Sequence, residues 1–524
     1  MSERRKAKGE DKKMSWIRPT HFFVAIFFAK HLRISKKKCT FAAKKRTKQP
    51  IFLGKSGQDT IQLLGKSGQN KQNSMINRQL DTLIKEHYTN THNALLLSGA
   101  RQVGKSYAIR KYGTTNYSCF VEINFIEQPQ AIQIFQNATS ATDLLLRLST
   151  FIQQPLVKGD TLIFFDEVQV YPDILTWIKF LVDSGEYRYA LSGSLLGVQL
   201  KDIRSLPVGY LSEIQVYPLC FEEFIRAIGV GDTTINALKY AWENQMPVDN
   251  VVHQKMMQLI NLYLIVGGMP AAVQAYIDSN NMQHVTEIQR NILQLYKKDI
   301  AQYDLKRKLY IQDIFDLIPS ELNAQNKRFV LKDINQHIKF SRSENDFLWL
   351  SDAGVALPVY NVEAPCPPLI LNKQRNLFKL FQNDVGLLAC QYSNGIQLDI
   401  LNGESQLNFG AIYENFVAQE LQANAYTLYY YNSKKYGELD FLIEDNSLLT
   451  AIEVKSGKSY RKHNALDKCL ECKNFHIQKS IVLCHDNVQT EEHITYMPIY
   501  MTMFMKKHSN TEPIIYRLNI SDLA

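Results

Sequence analysis

Hydrophobic and polar positions change rhythm along this chain of 524 residues. In the first half, short apolar runs alternate with helix-spaced stretches. Ala94-Leu95-Leu96-Leu97 has the length of a buried strand. Ser106-Tyr107-Ala108-Ile109-Arg110-Lys111-Tyr112 predicts a helix closed by Gly113, and Phe120–Phe125 predicts a second strand. A helix is expected over Ala141–Ile152. Thr161-Leu162-Ile163-Phe164-Phe165 predicts a third strand, ending in Asp166-Glu167. Tyr187–Ser194 predicts a fourth, ending in small polar residues. Upstream, Ile76, Leu80 and Leu83 fall at i, i+4 and i+7, so a helix leads in from Met75. Buried apolar runs separated by helices predict an α/β unit built on a parallel sheet.

The second half reads differently. Ile225–Ile300 is mostly helix-forming and is broken at Gly267-Gly268-Met269-Pro270. Its last helix runs from about Thr286 to Ile300. Ile311–Ile318, Leu331–Ile338 and Arg342–Leu350 predict three short helices, followed by a β-like piece at Val355–Asn361. Three helices and a hairpin suggest a winged helix-turn-helix, a fold that binds DNA or contacts proteins. Ala411–Leu421 predicts an amphipathic helix carrying Glu414. Leu439–Glu444 and Leu448–Lys455 predict two strands around an Asp445-Asn446-Ser447 turn. The expected division is a basic extension at 1–74, an α/β unit at 75–225, a helical lid or linker at 226–310, a winged-helix-like segment at 311–385 and a second α/β unit at 386–524.

Composition alters this picture at one place. The hydrophobic fraction of 45% and charged fraction of 21% suit a soluble globular protein. The net charge of +9, however, is not spread evenly. Residues 1–74 hold 19 Lys/Arg against 4 Asp/Glu, whereas the rest holds 41 against 47. The body is mildly acidic, so its partners are not fixed by charge. The apolar run Phe22–Ala29 falls short of the roughly 20 residues a membrane span needs. No membrane is expected; translation is expected to start at Met75, with residues 1–74 a misassigned extension or a disordered basic arm. The repeated hexapeptide Leu53–Gln58 and Leu64–Gln69 echoes Gly-Lys-Ser, but Gln49 and Thr60 stand where a phosphate loop needs glycine. Eight scattered cysteines show no disulfide framework, which suits a reducing cytoplasm. Cys469 and Cys472, near His476, Cys484 and His485, lack the second half of a zinc site and read as ordinary thiols.

Gly99-Ala100-Arg101-Gln102-Val103-Gly104-Lys105-Ser106 fits the phosphate-loop pattern G-x-x-x-x-G-K-[ST] between a strand and a helix. Its backbone N–H groups can wrap a pyrophosphate. Lys105 is expected to reach the β- and γ-phosphates of ATP, Ser106 to ligate Mg²⁺, and Tyr107 to complete the contact. Asp166 is the expected Mg²⁺ partner, directly or through water. Glu167 is the expected polariser of the attacking water. Ser192 or Ser194 is a candidate to touch the γ-phosphate, or else the two belong to an ordinary Ser/Gly turn.

The phosphate loop, Phe164-Phe165-Asp166-Glu167-Val168-Gln169, Leu191-Ser192-Gly193-Ser194 and Tyr217-Pro218-Leu219-Cys220-Phe221-Glu222-Glu223-Phe224 together resemble prokaryotic AAA-type ATPases with a DUF4143 C-terminal region. The resemblance runs from about Met75 to about Ala465. It implies a Gly-Arg pair before the last segment, where this chain has Gly209-Tyr210; Arg204 is the nearest upstream arginine. Without that arginine, slow turnover is expected.

Strand alternation puts Glu453 and Lys455 on one face, and Asp440 on the paired strand can join them. With Glu414 this set resembles the PD-(D/E)xK nuclease superfamily, a restriction-endonuclease-like fold. The resemblance implies Asp440 and Glu453 as metal ligands, Glu414 as a further ligand or orienter, and Lys455 as the catalytic lysine. Glu438 shares the face of Asp440. A surface hairpin with ordinary charges, and a fold that has kept its shell without its chemistry, remain open. The expected function is a Mg²⁺-dependent ATPase acting as a nucleotide switch coupled to a nuclease-like domain. The alternative is a non-enzymatic ATP-binding regulator with slow turnover. DNA or RNA, a protein, or a second copy of the chain are the candidate partners.

Overall fold

The computed structural model describes residues 76–194, 207–303, 308–324, 327–329, 340–392, 396–402, 409–508, 515, 516 and 518. The expectations for 1–74, for Arg204 and for a helix at 331–338 lie outside these residues.

Helix α1 (Gln79–Asn90) leads into strand β1 (Ala94–Ser98), helix α2 (Lys105–Asn116) and strand β2 (Cys119–Asn124). Helices α3 (Ile132–Gln136) and α4 (Ala141–Ile152) precede β3 (Thr161–Asp166). Helix α5 (Ile174–Ser184), β4 (Arg188–Ser192) and β5 (Leu211–Gln215) complete the unit. Its five strands pair in the order β2-β3-β4-β1-β5, all parallel. Period-two alternation sends Leu95, Leu97, Leu162 and Phe164 to one face and Leu96, Ile163, Phe165 and Leu191 to the other. Both faces are covered, which is why β3 reads as one continuous apolar run. Helix α2 does not close at Gly113 but continues to Asn116. Gly113 serves packing: a Cβ there would lie 2.2 Å from the Phe120 ring. Strand β5, with its half-exposed Leu-Ser-Glu-Ile-Gln, carries no apolar run that would announce it.

Five helices follow: α6 (Phe221–Ala227), α7 (Asp232–Glu243), α8 (Asn250–Val266), α9 (Pro270–Ser279) and α10 (Met282–Tyr303). The break before Pro270 is held by Asp384, whose carboxylate accepts from Gly268 N at 2.6 Å and Leu387 N at 3.0 Å. Helices α11 (Lys308–Asn323) and α12 (Phe340–Asp352) are longer than their apolar cores suggest. Beyond them lie β6 (Ala356–Val362), β7 (Lys373–Gln382), α13 (Val385–Gln391), α14 (Ile396–Asn402) and α15 (Phe409–Ala423). The last elements are β8 (Tyr429–Ser433), β9 (Gly437–Asp445), β10 (Leu448–Val454), α16 (Asn464–Leu470), β11 (Lys479–Cys484), β12 (Gln489–Glu491) and β13 (Ile494–Pro498).

The second sheet is mixed, in the order β12-β13-β11-β10-β9-β8-β6-β7. It crosses the 385/386 division drawn from sequence. Strands β6 and β7 do not stand apart as the hairpin of a wing; β6 pairs parallel with β8 and antiparallel with β7. The β9–β10 turn falls where expected, with Asn446 and Ser447 both at positive φ, as a two-residue hairpin loop requires. One apolar cluster runs from Leu95 through Phe221 and Tyr263 to Phe416, so the first sheet, the helices and the second sheet share a core. Phe221 N donates to the buried Glu420 carboxylate at 2.8 Å across that core. Among the described residues, no helix is long and apolar enough to cross a membrane.

Candidate active site

The register of the parallel sheet gathers three polar strand ends. Asn124 pairs with Asp166, and Ser192 pairs with Leu97 beside the phosphate loop. Such a row at the carboxyl edge is where an open α/β sheet places its ligand. Asp166 is buried and accepts from Ser106 Oγ at 3.0 Å, from Ser192 Oγ, and from Asn124 Nδ2 at 3.3 Å. Ser106 and Ser192 lie 3.5 Å apart. The Arg110 guanidinium, held bidentate by Glu122, stands 3.8 Å from Asp166. A hydroxyl and a carboxylate oxygen side by side are the hard donors that Mg²⁺ takes, with the remaining positions left to phosphate oxygens and water.

The loop itself is curled by positive φ at Gly99, Gln102 and Gly104. Lys105 is 7% exposed and donates to the carbonyls of Gly99 at 2.9 Å and Ala100 at 2.7 Å. Burial pushes its amine down to about 8, against the attraction of Glu167 and Asp166. Val103 is buried behind the loop, whereas Tyr107 is 52% exposed at the start of α2. Glu167 sits at φ +56, and Gln169 Nε2 bridges it to Ser194 Oγ, 3.3 Å away. Both candidate serines thus reach the site: Ser192 on the Asp166 side and Ser194 on the Glu167 side.

Four braces on the loop were not read from sequence. Arg78 donates to Val103 O at 2.6 Å and to Tyr217 O at 2.7 Å. Arg101 pairs with Asp299 of α10 at 2.6 Å. Tyr296 Oη donates to Arg101 O at 3.3 Å and accepts from Asn383 at 3.2 Å. Gly354 approaches so closely that a Cβ there would lie 2.9 Å from Ala100 N. Asn124 and Gln169 were also missed. Asn124 had a signal, a polar residue ending an apolar strand as Asp166 does. Tyr210, in place of the arginine implied by resemblance, lies under Lys179 Nζ at 5.6 Å.

The C-terminal candidates also meet, but with lysines among them. Glu414 on α15 pairs with Lys327 and, at 3.5 Å, with Lys379 of β7. Asp440 accepts from Val454 N at 2.9 Å, and Glu453 pairs with Lys455. Burial, with Asp440 close by, pushes the Glu453 carboxyl up to about 8. Among the described residues, no three of His, Cys, Asp or Glu are placed to hold a metal ion, so Glu414, Asp440 and Glu453 do not fit one as arranged. The same holds for Cys469, Cys472, His476, Cys484 and His485.

Residues 91–225 match the family model described as an AAA domain, residues 257–397 match DUF8612 and residues 409–502 match DUF4143, both domains of unknown function. No curated protein matches the chain. Among solved structures, the Walker-type ATPase PABY2304 of Pyrococcus abyssi is 14% identical, over 61% of this chain and 97% of its own, with a TM-score of 0.38. A RuvB variant of Thermotoga maritima is 14% identical over 55% and 84%, with a TM-score of 0.23. PCH-2 of C. elegans is 12% identical over 39% and 60%, with a TM-score of 0.22. By the family models, the chain is similar to an AAA domain over 91–225 and to DUF4143 over 409–502.

Proposed function

We propose that this protein hydrolyses ATP with Mg²⁺ and works as a nucleotide-driven switch. The observation that carries the reading is the cluster of Ser106, Asp166 and Ser192 beside the phosphate loop, with Glu167 held next to it by Gln169. Ser106 and Asp166 would hold Mg²⁺, which supplies charge neutralisation at the β- and γ-phosphates. Lys105 leaves the Gly99 and Ala100 carbonyls to reach the same oxygens. Glu167 takes a proton from water as its oxygen bonds to the γ-phosphorus. The bond from that phosphorus to the bridging oxygen breaks, giving ADP and phosphate. The switch follows from the braces: any shift of the loop on hydrolysis pulls on Asp299, Tyr296 and Gly354. Tyr210 in place of arginine supports slow turnover. The lysines among Glu414, Asp440 and Glu453 favour a C-terminal domain that responds to nucleotide without cutting a phosphodiester. Its partner is then a nucleic acid, a protein or a second copy of this chain.

Phosphate release from Mg-ATP tests the reading, with and without added DNA. Wild type should turn over slowly, Lys105→Ala should be inactive, and Glu167→Gln should bind ATP without hydrolysing it. Hydrolysis undiminished in Lys105→Ala would sink the proposal. Stimulation by DNA would identify nucleic acid as the partner.

A further inference from the structure

Lys379 is a lysine in a place that lysines avoid. It sits on β7 with no exposed surface. Its Nζ lies 2.7 Å from Glu438, 3.5 Å from Glu414 and 3.8 Å from Asp440, and 5.2 Å from the Tyr430 ring centre. Three carboxylates from β9 and α15 thus converge on one ammonium. A hard divalent cation gathers oxygen ligands in the same way, but an ammonium carries one charge and makes hydrogen bonds instead. Lys327 and Lys455 neutralise the outer side of the cluster at Glu414 and Glu453. Four carboxyl groups therefore face three lysine amines. Among the oxygens of these four carboxyl groups, Glu453 Oε2 is buried and has no hydrogen-bond partner. Buried charge persists only when it is paired. With its stem fixed in the strand, Lys379 is a permanent part of that pairing.

We infer that Lys379 is a built-in cation occupying the place of a divalent metal in the C-terminal carboxylate cluster. The wild-type domain is then metal-independent, and removing this one amine opens a divalent-cation site formed by Glu414, Glu438 and Asp440, with Glu453 beside it. The inference does not depend on ATP hydrolysis. It would remove metal-assisted cleavage from the functions of this domain.

The test counts Mn²⁺ bound to the full-length, nucleotide-free chain by electron paramagnetic resonance. All variants carry Asp166→Asn, which disables the cluster at the phosphate loop. With Lys379 present, Asp440→Asn should leave Mn²⁺ uptake unchanged, and EDTA should leave the melting temperature unchanged. Lys379→Met should melt lower, take up one further Mn²⁺ per chain and regain melting temperature with it. Adding Asp440→Asn should abolish that gain. Loss of Mn²⁺ on Asp440→Asn in the chain that keeps Lys379 would overturn the inference, as would a folded Lys379→Met that takes up none. If Lys379→Met does not fold in EDTA, rescue of folding by Mn²⁺ supports the inference and failure of rescue counts against it.

Discussion

Gly354→Ala separates the bracing of the phosphate loop from ordinary backbone strain. Gly354 follows α12 at φ +71, and its missing Cβ would stand 2.9 Å from Ala100 N, 3.5 Å from Gly99 C and 3.6 Å from Ala100 Cα. All three neighbours are backbone, so none can rotate away. Alanine at this left-handed position costs about 1–2 kcal/mol, and overpacking adds about 1–3 kcal/mol. Gly185 supplies the control. It has φ +65 at the end of α5, with no atom within 4 Å of its would-be Cβ. Gly185→Ala carries the first penalty alone. The difference between the two variants is therefore about 1–3 kcal/mol, and it falls on the loop. If the loop shifts to relieve it, ATP affinity falls about 5- to 140-fold, at roughly 1.4 kcal/mol per factor of ten. Titration calorimetry with ATP and thermal melts, run on both variants, measure the two quantities. Gly354→Ala melting like Gly185→Ala and binding ATP like wild type would refute the contact.

Two further outcomes follow from buried charges. Lys105 has its amine pushed down to about 8 by burial, so ATP affinity should fall by up to about tenfold per pH unit above pH 8. Over the range from 8 to the ordinary 10.5 the unfolded chain binds the extra proton, so nucleotide-free stability should gain from this group as affinity declines; affinity flat from pH 7 to 9.5 would contradict the burial. Glu420 is pushed up to about 8 by burial, so its contribution is fully present below 4.5 and is lost as pH rises through 8. Glu420→Gln should flatten the stability profile over that window, an effect of a few kcal/mol at about 1.36 kcal/mol per pH unit, measured by urea unfolding at several pH values.

Local chemistry was legible in the sequence and long-range support was not. The phosphate loop, helix 141–152, strand 161–166 and the 445–447 turn all follow from spacing within about 15 residues. Asp166 and Ser192 could be named because polar residues ending apolar strands stand out. The braces could not. Arg78, Asp299 and Gly354 act on residues 25 or more positions away, across helices whose packing no periodicity encodes. Lys379 was invisible for the same reason. A lysine two residues before the strand end Phe381-Gln382 looks like a solvated charge until β9 and α15 close over it. The second sheet was misdivided because β6 and β8 pair across 66 intervening residues, whereas sequence boundaries are drawn where composition changes.

The bracing of the phosphate loop from Gly354 has a consequence for how the chain is made. Gly354 is synthesised about 250 residues after Ser106. At roughly 5–20 residues per second, that is a delay of about 12–50 s. For that interval the nascent chain holds a nucleotide loop complete in sequence but lacking its rear support. Asp299, Asn383 and Gly354 all follow the phosphate loop and its sheet in the chain. A ligand that binds the ordered loop stabilises it by mass action. A nucleotide bound once β4 and β5 have joined the sheet would stabilise the loop before the later helices pack behind it.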